Sequence, residues 1–341
     1  MQKKLFYIAL IATLLLAACG KTNESEVPTD GESGTQTLSV YTTVYPLQYF
    51  TERIGGEHVN VQSIYPPGAD EHTFDPTQKD MMALADSDLF FYIGLGLEGF
   101  VENAEKTLKG EHVQMVATAE GISEEMLHEG HDHEGHDHGT DATHDEHEGH
   151  DHDTEAAHDE HDHHHGEFDP HVWISPMLSI ELATSIKDAL IEEMPDMQAE
   201  FEENFQQLKT DLVELDHQFE EMAANAPSKT FFVSHAAFGY IADAYGLEQI
   251  AIAGLNSQSE PSQKQLATLV TQAKELDVKY VLFEQNVSSK LTDVIRKEIG
   301  AESLMLHNLG VLTADDVKNN EDYISLMEHN IETLGKALST K

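Results

Sequence analysis

The sequence has a single cysteine and few basic residues. One cysteine among 341 residues excludes an intrachain disulfide and a cysteine-based zinc finger. Lysine and arginine number 19 against 63 aspartates and glutamates, which gives a formal net charge of −44. A surface this negative repels phosphate backbones, which argues against nucleic-acid binding, and it attracts cations. Hydrophobic residues still make up 40% of the chain, enough to form packed cores.

The N-terminus has the pattern of a secretory signal. A short basic start is followed by an apolar run over residues 5–18, too short for a comfortable transmembrane helix. Small residues lead directly into Cys19, a pattern that resembles the lipobox of bacterial lipoproteins. That resemblance implies a signal peptide over 1–18 and lipidation of Cys19, which would anchor the chain to the outer face of the cytoplasmic membrane. Residues 19–36, rich in Ser, Thr, Gly and Glu, are predicted to be a flexible tether.

A histidine-rich acidic segment interrupts the chain. Between His128 and His165 there are 14 histidines and 14 acidic residues, and almost nothing apolar that could form a core. We therefore expect a disordered loop over 122–166 that binds Zn²⁺, Ni²⁺ or Cu²⁺ weakly at several positions. The predicted low-affinity ligands are His131, His133, His136, His138, His150, His152, His161, His163, His164 and His165.

The rest of the chain alternates predicted strands and helices. Short apolar runs predict strands at 37–45, 59–65, 89–93, 112–117, 230–234, 249–253, 279–283 and 303–306. Helical patterns lie between them at 49–54, 78–85, 238–245, 261–276 and 290–299. This alternation favours an α/β fold with two parallel sheets covered on both faces. An unbroken apolar stripe of about 28 residues predicts one long helix over 196–225 between an N-terminal lobe, 37–195, and a C-terminal lobe, 226–341.

Four side chains follow the predicted strands at positions suited to a metal site. In open α/β sheets, ligands bind outside the carboxyl ends of the strands. His72, His235 and Glu284 each follow a strand, and His171 precedes a helix after the histidine-rich segment. Three imidazoles and one carboxylate form a tetrahedral set that suits zinc. Two members come from each half of the chain, so we expect the metal between the lobes.

Four motifs around these residues resemble one protein family. They are DEHTFDPT at 70–77, DPHVWISP at 169–176, SHAAFGY at 234–240 and FEQNVS at 283–288. In this order they resemble the ligand loops of cluster A-I solute-binding lipoproteins, the metal receptors of ABC importers, over residues 38–341. The resemblance implies two lobes, each with a four-stranded sheet, joined by one long rigid helix. Zinc members of the family have a histidine in the third motif and often carry a histidine-rich loop before the second ligand, so His235 and the loop imply the zinc type.

The function that the resemblance implies is a monomeric receptor, not an enzyme. It would capture one Zn²⁺ tightly and deliver it to a membrane permease driven by a cytoplasmic ATPase, while the histidine-rich segment gathers or buffers zinc. Glu71, beside His72, is an alternative carboxylate ligand, but we interpret it as a loop residue that draws cations in. Acid should release zinc from the histidine-rich segment before the cleft.

Three other functions stay open from the sequence. One is a receptor of the same family for manganese or another divalent metal. Another is a metal-buffering surface adhesin, in which the histidine-rich segment does the binding. The third is a zinc lyase or hydrolase, against which the fourth protein ligand and the absence of a His-Glu-x-x-His motif argue.

Overall fold

The computed structural model describes residues 37–129, 168–259, 261–285 and 290–339. The predicted signal peptide, the tether, Cys19 and the ten auxiliary histidines lie outside these residues. Within the described residues, no helix combines the length and the apolar character needed to cross a bilayer.

Two parallel four-stranded sheets form the centre of the fold. Their strands are β1 (Leu38–Thr42), β2 (Val59–Ser63), β3 (Leu89–Tyr92), β4 (Gln114–Ala117), β5 (Thr230–His235), β6 (Glu248–Ala253), β7 (Tyr280–Phe283) and β8 (Glu302–Met305). The strand order is β2-β1-β3-β4 in the first sheet and β6-β5-β7-β8 in the second, so both halves share one topology. The central strand β3 is buried along its whole length, as its apolar sequence predicts.

Ten α-helices surround the described sheets. They are α1 (Tyr45–Gly55), α2 (Gln78–Ala85), α3 (Val101–Leu108), α4 (Pro176–Glu193), α5 (Gln198–Asn225), α6 (Gly239–Ala244), α7 (Gln263–Glu275), α8 (Lys290–Ile299), α9 (Ala314–Asn319) and α10 (Tyr323–Ala337). The predicted fold class, two α/β lobes and one long connecting helix, is confirmed.

The first strand is shorter than its β-rich sequence predicts. It ends at Thr42, and α1 begins at Tyr45 with Pro46 in its first turn. Proline lacks a backbone N–H and has φ fixed near the helical value, so it is favoured where a helix starts. The prediction of a strand up to residue 45 missed this start signal.

The long helix α5 runs for 28 residues and buries one face. Its buried stripe includes Phe201, Leu208, Leu215 and Phe219, at helical spacing. It packs against α1 and α4 from the first half of the chain and against α10 from the C-terminus. The helix is therefore built into the core and does not act as an exposed connector.

The last helix, α10, packs against the first lobe. Its Tyr323 is fully buried, stacks on Tyr49 with ring centroids 5.9 Å apart, and meets the ring of Phe50 edge-on at 5.0 Å. The Tyr323 hydroxyl donates to the carbonyl of Trp173 at 2.9 Å. One continuous hydrophobic cluster therefore spans both lobes, which sequence periodicity did not predict, and two smaller clusters lie in the second lobe.

The folded part extends further toward the histidine-rich segment than predicted. Ile122 is 6% exposed, and a short 3-10 turn follows at Glu124–Met126. Glu129 and Phe168 then form an antiparallel bridge. Residues 122–129 thus belong to the described fold, and the two flanks of the segment are held side by side.

Candidate metal centre

Three of the four predicted site residues lie at or after the carboxyl ends of strands. His72 is in the loop between β2 and α2, His235 is the last residue of β5, and Glu284 directly follows β7. His171 precedes the short 3-10 turn that leads into α4. Parallel strands place their carboxyl ends at one edge of each sheet, so these loops meet between the lobes.

The three histidines converge on one point. The Nε2 atom of His171 lies 3.3 Å from Nε2 of His72 and 3.3 Å from Nε2 of His235. One ring nitrogen from each of the three lies within 4.8 Å of the others. His171 and His235 are fully buried, whereas His72 is partly exposed. Three imidazoles with nitrogens facing one another form the kind of site that suits Zn²⁺.

Carboxylates fix the orientation of two of the rings. Asp169 Oδ1 lies 2.7 Å from Nδ1 of His171, and Glu284 Oε2 lies 2.6 Å from Nδ1 of His235. The Asp169 contact is a hydrogen bond, and a proton held there on Nδ1 leaves the lone pair of His171 Nε2 free to bind a metal. The Glu284 contact with His235 Nδ1 is close but lacks hydrogen-bond geometry. Asp169 was not predicted from the sequence, although its position two residues before His171 is the signal that would have found it.

Glu284 does not lie beside the three Nε2 atoms. Its Oε1 accepts hydrogen bonds from the Ser234 hydroxyl at 2.5 Å and from the His235 backbone N–H at 3.1 Å. Its Oε2 accepts from the Asn308 amide at 3.1 Å and contacts the far side of the His235 ring. The structure therefore gathers three of the four predicted ligands, and it places Glu284 behind His235 because both carboxylate oxygens already bind other donors.

A second buried carboxylate, Glu71, lines the same pocket. Glu71 is 7% exposed and lies with His72, His235 and Asn308 around a small enclosed space. Its Oε1 accepts from the Asn308 amide at 3.1 Å. The sequence identified Glu71 as an alternative ligand but gave no indication of Asn308, which lies 24 residues beyond Glu284 in the chain.

The buried surroundings shift the pKa values of the site residues in different directions. Burial, together with the neighbouring His171 and His235, lowers the pKa of His72 to about 2, so this ring stays neutral. Burial disfavours charge on His235 as well, but the Glu284 carboxylate outweighs it and raises the pKa of His235. Burial would raise the pKa of Glu284, yet the His235 ring beside it lowers that pKa. Burial raises the pKa of Glu71.

Five other histidines lie elsewhere, each near one carboxylate. The pairs are His58 with Glu200, His112 with Asp88, His217 with Glu220, His307 with Asp316 and His329 with Glu321. Among the described residues, one other group of three metal-type side chains occurs, formed by Asp216, His217 and Glu220 along α5. The last two of these are exposed, and the group has no buried site around it.

Known proteins have sequences similar to that of this chain. A family model described as "Zinc-uptake complex component A periplasmic" matches residues 40–337. The zinc-binding lipoprotein AdcA of Streptococcus pneumoniae is 35% identical over 334 residues, which cover 98% of this chain and 60% of that protein. The high-affinity zinc uptake system protein ZnuA of Bacillus subtilis is 36% identical over 337 residues, which cover 99% of this chain and 98% of that protein.

Solved structures agree with these matches. The Zn(II)-bound ZnuA-like domain of Streptococcus pneumoniae AdcA superposes with a TM-score of 0.69 at 32% identity, covering 89% of this chain and all of that chain. A crystal structure of ZnuA superposes with a TM-score of 0.72 at 27% identity. This chain spans about 60% of the length of the streptococcal relative. The family match over most of its length, with the three converging histidines, shows that the chain belongs to the ZnuA family of zinc-uptake components.

Proposed function

We propose that this protein captures Zn²⁺ outside the cytoplasmic membrane and delivers it to the permease of an ABC importer. Its ligands are His72, His171 and His235. The observation that carries this proposal is the convergence of their three Nε2 atoms, from loops of both lobes, in a largely buried cleft. The matched family and the printed names of the relatives support zinc as the cargo.

Glu284 is proposed to act on the metal through His235 in the arrangement seen here. Its carboxylate lies 2.6 Å from Nδ1 of that ring, and the negative charge makes Nε2 a more basic ligand. Three imidazoles leave one position of a tetrahedral zinc shell for a water or for a carboxylate that moves. An open position also occurs in catalytic zinc sites, but the matched family of uptake components supports a receptor rather than an enzyme.

The permease and its ATPase are proposed to be separate chains. The sequence contains no Gly-x-x-x-x-Gly-Lys-Ser/Thr loop for binding nucleotide phosphates. The family description names the protein as one component of a complex, and the AdcA relative is named a lipoprotein. Lipidation at Cys19 would keep the receptor next to its permease.

Metal binding is tested by titrating the purified protein with Zn²⁺ against a chelator strong enough to keep weak sites empty. We expect one zinc per chain in the wild type and a loss of that zinc in His171→Ala. His329→Ala is the matched control, because the His329 side chain is 57% exposed and lies 3.9 Å from Glu321, away from the cleft. Full retention of the tight zinc by His171→Ala would contradict the assignment.

The role of the histidine-rich segment needs its own experiment. Replacing residues 130–167 with a short Gly/Ser linker keeps the Glu129–Phe168 bridge that closes the base of the segment. If the segment gathers zinc for the cleft, uptake at limiting zinc should fall while the tight site is retained. Equal uptake would show that the segment does not feed the cleft, and loss of all tight binding would favour the buffering adhesin.

A further inference from the structure

The carboxylate that orients His171 lies against the second lobe. Oδ1 of the buried Asp169 accepts from the backbone N–H of His171 at 3.0 Å and lies 2.7 Å from Nδ1 of its ring. Asp169 precedes α4 in the first lobe, whereas Gly239 and Tyr240, which lie beside it, begin α6 in the second. A ligand from one lobe is therefore oriented by a carboxylate that touches the other lobe.

The hydroxyl of Tyr240 holds the backbone of Asp169. It donates to the Asp169 carbonyl at 2.8 Å and accepts from the His128 backbone N–H at 3.3 Å. The Asp169 N–H in turn donates to the His128 carbonyl at 2.9 Å, so three hydrogen bonds form a closed ring around the hydroxyl. Burial, with the nearby Asp169 charge, raises the pKa of the Tyr240 hydroxyl above its usual range, so it remains a donor.

The ring of Tyr240 is itself fixed in direction. The His128 imidazole stacks on it, with ring centroids 4.1 Å apart and an angle of 20° between the planes. Nε2 of the same imidazole lies 3.3 Å from Oδ2 of Asp243, further along α6. The base of the histidine-rich segment therefore covers one face of the tyrosine and keeps its hydroxyl on Asp169.

Gly239 leaves the space that the Asp169 carboxylate occupies. An added Cβ at Gly239 would lie 3.1 Å from Asp169 Oδ2 and 3.7 Å from His128 Nδ1. The φ angle of Gly239 is not positive, so the position requires a small residue rather than an unusual backbone conformation. A side chain there would push against a carboxylate that His171 already holds on its other oxygen.

We propose that Gly239 and Tyr240 are positioning residues for the metal ligand His171 and that they act through Asp169. The motif at 234–240 then serves the cleft twice, because His235 contributes a ligand and the last two residues hold the carboxylate behind His171. A carboxylate that keeps the proton on Nδ1 makes Nε2 a better metal ligand. The two lobes therefore prepare His171 together. This inference rests on the zinc-receptor function proposed above.

The test measures the Zn²⁺ affinity of the full chain by chelator competition. Tyr240→Phe removes the hydroxyl and keeps the ring that stacks on His128. We expect zinc affinity to fall by about tenfold, the lower end of the range for residues that orient metal ligands. Gly239→Ala is a second, independent variant and should also lower zinc affinity, because the added Cβ displaces the Asp169 carboxylate. Wild-type affinity in Tyr240→Phe would overturn the proposal.

Tyr245→Phe is the matched control. The Tyr245 hydroxyl donates to Asp216 Oδ1 at 2.9 Å, and its ring stacks on Phe219, so both contacts are with α5 rather than with the cleft. Each substitution removes one hydrogen-bonded hydroxyl from a stacked tyrosine of the same lobe. We expect similar losses in the free energy of unfolding by denaturant titration, but a loss of zinc affinity only in Tyr240→Phe. An equal fall of zinc affinity in both variants would overturn the proposal.

A double-variant comparison shows whether the effect passes through Asp169. In an Asp169→Ala background the carboxylate is absent, so Tyr240→Phe and Gly239→Ala should each change zinc affinity by less than about twofold. An undiminished effect in that background would show that both residues act independently of Asp169 and would overturn the proposal. A wild type without a His171-dependent tight zinc would defeat the proposed function. A wild type with it, but with unchanged affinity in Tyr240→Phe, would defeat only this inference.

Discussion

The neutral His72 ring makes the metal-free protein sensitive to acid. Its pKa is lowered to about 2 by burial and by the neighbouring His171 and His235, whereas an unfolded histidine has a pKa of about 6.5. Between these values the unfolded chain binds a proton that the folded chain does not. The free energy of unfolding therefore has its full value above about pH 6.5, and proton uptake by the unfolded chain lowers it as the pH falls below that value.

The size of the loss follows from the pH interval. Each pH unit below the unfolded pKa lowers the free energy of unfolding by about 1.4 kcal/mol, so at about pH 5 the loss attributable to His72 is about 2 kcal/mol. His72→Asn removes the titrating ring and should remove this loss. His235 has a raised pKa, so its contribution is complete below about pH 6.5 and is lost at higher pH, opposite in sign to that of His72. Both chains contain His235, so its contribution cancels when they are compared.

The assay is denaturant unfolding of chelator-treated wild type and His72→Asn at about pH 7 and about pH 5. The signal is the fluorescence of Trp173, the one tryptophan of the chain, which is fully buried with its ring 5.3 Å from that of His171. Between the two pH values, the wild type should lose about 2 kcal/mol more than the variant. Equal losses in both chains would refute the reasoning.

Three further outcomes are expected. Gly310→Ala would place a Cβ 2.8 Å from the Glu71 carboxyl carbon and should lower the free energy of unfolding by about 1–3 kcal/mol, measured by denaturant titration; no change would show that Glu71 moves freely. Glu284→Gln removes the charge that raises the pKa of His235, so the acid loss of zinc affinity should begin at a lower pH in chelator titrations; an unshifted profile would contradict this. Zinc at about 100 times its Kd should stabilise the wild type by about 2.7 kcal/mol in the same unfolding assay, and His171→Ala should show no such gain.

Most of the architecture was predictable from local sequence. The apolar run 89–93 is typical of a strand buried on both faces, and it forms β3 over Leu89–Tyr92. The stripe over 196–225 has the period of an α-helix, and it forms α5 over Gln198–Asn225. These elements depend on the order of apolar and polar residues within a few turns, which the sequence contains directly.

The positions of the candidate ligands were also predictable, because chain topology fixes them. His72 and His235 follow β2 and end β5, and parallel strands bring such residues to one edge of each sheet. The direction of the Glu284 side chain was not predictable. Residues distant in the sequence compete for its oxygens, and only the folded chain shows that Asn308 and Ser234 bind them.

The sequence by itself therefore determined the two parallel sheets, the long helix and the set of histidines available to bind a metal. The tertiary structure decided that α10 packs its Tyr323 against Tyr49 of the first lobe and that Asn308 holds one carboxylate from each lobe. Periodicity is local and records which face of an element is buried, but not what it is buried against. Contacts between residues far apart in the chain form only when the packed elements bring them together, and in this protein those contacts complete the surroundings of the metal centre.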